Sequence, residues 1–345
     1  MSTGENANRL FGLFKSLSNP PFFLYRICHY LNRFVPFKLA SYIYKRNKKD
    51  YEREGVSDYL LATFDGSGQF VHPDIAYFGG QYWLAVTPYP YGMEEYENPC
   101  IYQGYDLTHL KVPKGPIAKQ HKHTQGIHLS DPCFAVNNGN LYCFYRESER
   151  KGDTEEQTVW GIQYSESNNC WSEPVLILNS VDDKILSPAI LFDEKGELTV
   201  FYVSSLNDSY SLVSTKAEGV ISNLTKQRIL GAPDDYYLWH IGITRVKDIK
   251  KENSDSKQLA GLFLFKSRQE GGGMKLYETS NDGVDSKWII VREVEMPEEI
   301  KDIVTFPYKS CYIPKQNGNI LLSFRDKMSR NRMIILNNKL LQKND

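Results

Sequence analysis

One interval, repeated along the chain, limits what this sequence can fold into more than its composition does. Gly80 precedes Thr87 by seven positions, and Gly139 precedes Arg146, Gly196 precedes Val203 and Gly318 precedes Arg325 by the same seven. A matching landmark stands ahead of each glycine: His72-Pro73-Asp74-Ile75, Asp131-Pro132-Cys133-Phe134, Ser187-Pro188-Ala189-Ile190 and Lys309-Ser310-Cys311-Tyr312. The runs after the glycines are rich in aromatic and branched residues, as in Gln81-Tyr82-Trp83-Leu84-Ala85-Val86 and Asn140-Leu141-Tyr142-Cys143-Phe144-Tyr145. Each unit therefore reads as a hairpin around a glycine turn. A fifth copy, Trp239-His240-Ile241-Gly242-Ile243, reaches Gly261-Leu262-Phe263-Leu264-Phe265-Lys266 across a longer charged connection. Successive copies start 59, 56, 53 and 69 residues apart, counted from 72, 131, 187, 240 and 309. This spacing suits four-stranded blades with variable loops, and the expected fold is an all-β, five-bladed β-propeller. A β-sandwich would not hold one landmark offset through four copies. Residues 58–64 could pair the two ends of the chain and close the ring, removing exposed edges.

Residues 1–57 break the pattern. Leu10, Leu13, Phe14 and Leu17, then Phe23, Leu24, Ile27, Tyr30 and Leu31, recur at helical spacing, with Pro20, Pro21 and Pro36 as breaks. Lys15, Arg26, Arg33, Lys38, Lys45, Arg46, Lys48 and Lys49 make this segment basic, with no acid between Glu5 and Asp50. The expected domains are a basic, amphipathic α-helical extension over 1–57 and a propeller over 58–345. Residues 9–50 offer a peripheral contact to an anionic membrane surface, or pack on the propeller or a partner subunit. No convincing signal peptide or apolar span of about 20 residues is present, which points to the cytoplasm, at or near the inner face of the membrane. With 41 Lys+Arg against 42 Asp+Glu there is no global charge for a nucleic-acid partner. The six cysteines form no metal-like spacing, so neither a metal nor another cofactor is expected.

In a propeller the innermost strands converge on a central channel, so aligned positions nominate a site without any motif. The starts of the first strands supply His72 with Asp74, Asp131, Ser187, His240 beside Trp239, and Lys309. The ends of the second strands supply Thr87, Arg146 with Glu147, Lys266 and Arg325, and a loop adds Glu97. Two carboxyls, one ionised and one held protonated, are what glycoside hydrolysis needs. Arg146, Lys266, Lys309 and Arg325 suit an anionic group, so an acidic oligo- or polysaccharide is the expected partner.

His72-Pro73-Asp74, Thr87-Pro88-Tyr89-Pro90 and Glu97-Asn98-Pro99, with Ser187-Pro188-Ala189 and Trp239-His240 further on, resemble motifs of bacterial propeller proteins. Those proteins are similar to the five-bladed glycosidase superfamily of arabinanases, xylosidases and fructosidases. The resemblance covers roughly residues 65–335. It implies Asp74 as base or nucleophile and Asp131 as the second carboxylate, an orienting and pKa-setting partner. The general-acid Glu before a Pro is replaced by Ser187-Pro188, so Glu97 or Glu147 would have to serve. The resulting expectation is a glycoside hydrolase-like protein acting on an anionic bacterial surface or capsular polysaccharide. The alternatives are a non-catalytic glycan-binding propeller and a membrane-associated enzyme of glycan transfer or biosynthesis.

Overall fold

The computed structural model describes residues 68–337, apart from 93, 112, 114–115, 118–126, 152–153, 181–182, 194, 207–208, 218, 221–223, 250–257, 283–286 and 328–329. The expected N-terminal helices and the closing strand over 58–64 lie outside the described residues. The rest folds into five antiparallel sheets, whose inner strands are Phe70–Phe78, Ile127–Asn137, Ile185–Phe192, Tyr236–Arg245 and a split fifth, Val304–Pro307 with Cys311–Tyr312. Each inner strand pairs with the strand that follows it at the expected turn: Phe78 faces Gln81 in the first sheet and Asn137 faces Asn140 in the second. All four repeat glycines, Gly80, Gly139, Gly196 and Gly318, have φ between +71° and +81°. This left-handed region is open to glycine without steric cost, which explains why the repeat keeps that residue.

Period-two alternation then closes the ring. On one strand, Trp83 and Ala85 face the second blade while Leu84 and Val86 face the fifth. Every pair of neighbouring blades shares one apolar cluster, five in all, including the pair made by the first and fifth blades, where Phe70, Leu84 and Tyr102 meet Cys311, Leu321 and Met333. Burial of this kind stabilises by about 25 cal/mol per Å² of apolar surface, and an open row of blades would lose one cluster in five. Asn331 reinforces the closure, donating from its backbone N–H to Gln69 Oε1 at 3.2 Å and from its side chain to the Tyr89 carbonyl.

Two of the outer edges are covered by short pieces of chain. Gly219–Val220 pairs in parallel with the outer strand of the second blade, and Arg228–Leu230 does the same on the fourth. Such covering blunts the unpaired edges that would otherwise recruit another strand. Trp288, which follows the outer turn of the fourth blade, is fully buried there.

Candidate active site at the hub

The site is built by a break in the ladder that recurs at one place in successive blades. Pairing skips from Val71 to Asp74, from Ser130 to Cys133 and from Leu186 to Ala189, leaving His72-Pro73, Asp131-Pro132 and Ser187-Pro188 as bulges. Proline has no N–H, so the ladder loses no donor at its position. The residue before it takes φ +54° at His72, +52° at Asp131 and +51° at Ser187, a region that costs a non-glycine residue energy. Bulges of this kind re-aim side chains, and here they direct three of them at the axis. The fourth blade makes its bulge at Trp239, without a proline.

At the mouth formed by the N-terminal parts of the inner strands, called the upper mouth, Asp131 is the centre of a buried group. His72 Nδ1 lies 3.5 Å and His240 Nδ1 3.8 Å from Asp131 Oδ1, while the Arg146 guanidinium stands 3.2 Å from Oδ2. Asp131 is fully buried and His72, His240 and Arg146 are nearly so. Burial alone would raise the Asp131 carboxyl, but His72, Arg146, His240 and Lys309 outweigh it and hold the group well below the usual carboxylate range. Burial lowers His72 to about 4, with Asp131 opposing, and takes His240 well below its ordinary value. Arg146 is the permanently charged partner of Asp131. Arg146 is fixed in turn: it donates to Ser130 Oγ at 2.7 and 3.3 Å, to the Ile185 carbonyl and to Gln157 Oε1.

Glu97 joins this group from the first blade. Its carbonyl accepts the Leu129 N–H at 3.1 Å, tying its loop to the second inner strand. Burial pushes its carboxyl well above the usual value, with Arg146 opposing and Asp131 and Glu94 adding to the rise. His128 Nε2 stands 3.8 Å from Glu97 Oε2, and burial lowers that imidazole to about 4. The mouth thus holds two carboxyls pushed in opposite directions, Glu97 upward and Asp131 downward. His128 was missed by sequence reasoning; the alternation of His128, Ser130 and the bulged Asp131 along one strand was the available signal.

The other nominated residues separate into three groups. Lys266 stacks over the Trp239 ring at 4.7 Å, and Trp239 packs with Tyr237 and Tyr210 into an aromatic patch. Arg325 lies over Phe306, and its charge acts on Tyr308 and Tyr89. These two cations, both partly exposed, remain at the mouth. Three residues serve the fold instead. Ser187 Oγ donates to the Ile241 carbonyl at 2.8 Å and accepts the Ile241 N–H at 3.1 Å, tying the third blade to the fourth. Lys309 is buried on the axis and donates to the Pro132 and Pro188 carbonyls at 3.5 and 3.4 Å. Thr87 is fully buried at the end of its strand.

Asp74 and Glu147 stand apart from the upper group. Asp74 lies past the bulge, accepts the Phe134 N–H at 2.6 Å and lines a cavity of about 430 Å³ at the opposite, lower mouth. Burial raises its carboxyl to about 6, against the pull of Lys309 and two backbone N–H groups. Glu147 alternates with Arg146 along its strand and shares with Tyr145 the face turned to the first blade, whereas Arg146 reaches the third. Among the described residues, His72, Asp131 and His240 are the one group of three His, Cys, Asp or Glu side chains placed to hold a metal ion, their ligand atoms all within 4.8 Å of one another.

Neither a protein-family model nor a curated protein matches the chain. Solved structures do. An N-acetylgalactosamine deacetylase from F. plautii, solved with blood group B trisaccharide, matches with a TM-score of 0.59 at 15% identity, covering 81% of this chain and 90% of its own. A thermostable family-43 glycoside hydrolase matches with a TM-score of 0.54 at 10% identity, covering 77% and 88%. A Bacillus subtilis arabinanase matches with a TM-score of 0.51 at 13% identity, covering 79% and 95%. The chain has the five-bladed propeller fold of the family-43 glycoside hydrolases. At these identities the likeness is one of fold, and the chemistry rests on the hub itself.

Proposed function

We propose that the chain is a carbohydrate hydrolase of the glycosidase kind, acting at the upper mouth on an oligo- or polysaccharide that carries an acidic group. The observation that carries this reading is the pair of buried carboxyls in one mouth whose surroundings push them apart, Glu97 well above the usual range and Asp131 well below it. Glu97 gives its proton to the departing glycosidic oxygen, while Asp131 supplies the negative charge that faces the sugar ring as it turns cationic. Water then attacks, and the Glu97 carboxylate, having given up its own proton, takes up the water's. Trp239, Tyr237 and Tyr210, set at angles to one another, supply apolar ring surface for a sugar, and Lys266 and Arg325 supply charge for an acidic substituent.

A second reading keeps the site and changes the bond. The His72, Asp131 and His240 group favours hydrolysis of an acyl substituent on the sugar, the class named for the F. plautii protein of the same fold. Incubation with a panel of acidic and N-acetylated oligosaccharides, followed by mass spectrometry, separates the two: shortened chains support glycosidic cleavage, and loss of acetyl groups supports deacylation. Glycan binding without either product would show a non-catalytic propeller and overturn both.

A further inference from the structure

We propose that His72, Asp131 and His240 form a binding site for a divalent transition-metal ion of the zinc class. The inference deepens the proposed function, resting on that reading for the identity of the mouth but not for the binding itself. His72 Nδ1, His240 Nδ1 and Asp131 Oδ1 are each buried and have no hydrogen-bond partner. An imidazole that served only to orient a carboxylate would donate to it at about 2.7–2.9 Å. Here both separations are longer, at 3.5 and 3.8 Å, and all three atoms remain unsatisfied. Polar atoms buried without partners are rare and call for a cause.

The spacing supplies one. Two ligand atoms bound to one tetrahedral ion at about 2.0–2.1 Å stand roughly 3.3 Å apart, so the two His–Asp separations of 3.5 and 3.8 Å close on an ion with small movements, within a trio whose ligand atoms all lie within 4.8 Å. Two neutral imidazoles and one carboxylate oxygen also form a donor set for zinc and its first-row neighbours rather than for calcium or magnesium, which prefer all-oxygen shells.

The surroundings fit the same assignment. Arg146 and Ser130 Oγ hold Asp131 Oδ2, at 3.2 Å each, and so leave Oδ1 as the single ligating oxygen. Outer contacts of this kind orient the ligands of metal sites. Three protein ligands leave a fourth position for water or substrate, the arrangement of catalytic rather than structural zinc. The positive charges of Arg146 and Lys309 offset Asp131 and so weaken the site for a cation, which favours a metal held together with an anionic ligand.

Titration of the EDTA-treated, dialysed full chain with ZnCl2 by calorimetry tests the assignment, with CoCl2 and CaCl2 in parallel and thermal melts alongside. The expected result is one zinc per chain, a visible d–d spectrum with cobalt, no response to calcium, and a melting temperature raised by several degrees. His72→Gln and His240→Gln should each weaken zinc at least 100-fold while keeping the wild-type circular dichroism. Absence of binding by the wild-type chain, or undiminished binding by both variants, would overturn the site. Hydrolysis by a chain shown to bind no metal would overturn it and leave the proposed function standing, whereas one bound zinc with no turnover on any glycan would do the reverse.

Discussion

The two mouths of the channel are lined by the same five inner strands, yet their charged groups are in opposite conditions. At the lower mouth, Asp193 is paired with Lys216 at 2.7 Å and accepts the N–H groups of Lys195 and Glu197, Arg245 donates to the Phe192 carbonyl, and Asp74 holds the Phe134 N–H. At the upper mouth, Asp131 Oδ1 and two imidazole nitrogens are buried without partners beside Glu97, whose carboxyl burial pushes well above the usual range. A cavity of about 430 Å³ opens at the lower mouth, and the three candidate ligand atoms converge at the upper. Buried polar atoms without partners call for a cause, and on that ground the upper mouth is the proposed site.

Substitutions can break this contrast. The largest effect is expected at the upper carboxyls: Glu97→Gln and Asp131→Asn should each lower turnover on a cleaved oligosaccharide by about 10²–10⁴-fold, while Asp74→Asn should leave it within a few fold in steady-state assays. Next comes Arg146→Met, which leaves the buried Asp131 charge without its main partner and should cost about 3–5 kcal/mol in urea unfolding. Smaller effects should fall on the ties between blades. A Cβ at position 242 would lie 2.6 Å from the Ser310 carbonyl, so Gly242→Ala should cost about 1–3 kcal/mol. Ser187→Ala leaves the Ile241 N–H without its acceptor and should cost about 1–3 kcal/mol, with turnover per folded molecule unchanged.

A different kind of effect is a change of slope. Asp74 titrates at about 6 in the fold against 3.8 ordinarily, so the unfolded chain gives up this proton first. The Asp74 contribution to stability therefore falls as pH rises from about 4 to about 6 and is level above that. In Asp74→Asn that fall should vanish from a series of urea midpoints measured across the window, while the opposite dependence set by Asp131, whose stabilisation is lost as pH falls below about 4, should remain.

Much of this was legible in the sequence because a propeller writes its geometry as a repeat. The seven-residue offset reported the glycine turns, and the aligned strand starts placed His72, Asp131 and Ser187 at equivalent positions, while the bulges that aim them inward emerged only in the structure. What the alignment could not report is depth along the axis. His72 and Asp74 are two residues apart, and a strand that rises about 3.3 Å per residue carries the second past the bulge and toward the other mouth. Family likeness singled out Asp74 as the base or nucleophile, yet the fold gives its oxygen to a backbone N–H and leaves the upper mouth to Asp131 and Glu97. Nor does sequence show which cations are already engaged: Arg146 and Lys309 read as substrate clamps like Lys266 and Arg325, but they are buried on Asp131 and on two carbonyls. The three-ligand group escaped notice because its members come from three blades, 59 and 109 residues apart, with no motif between them.

The most direct test is to see which mouth takes the sugar. A crystal structure of Glu97→Gln with an acidic oligosaccharide bound is predicted to show the ring against Trp239, its acidic group toward Lys266 or Arg325, and the bond to be cleaved between residue 97 and Asp131. Sugar seated instead in the lower cavity, between Asp74 and Arg245, would contradict the account.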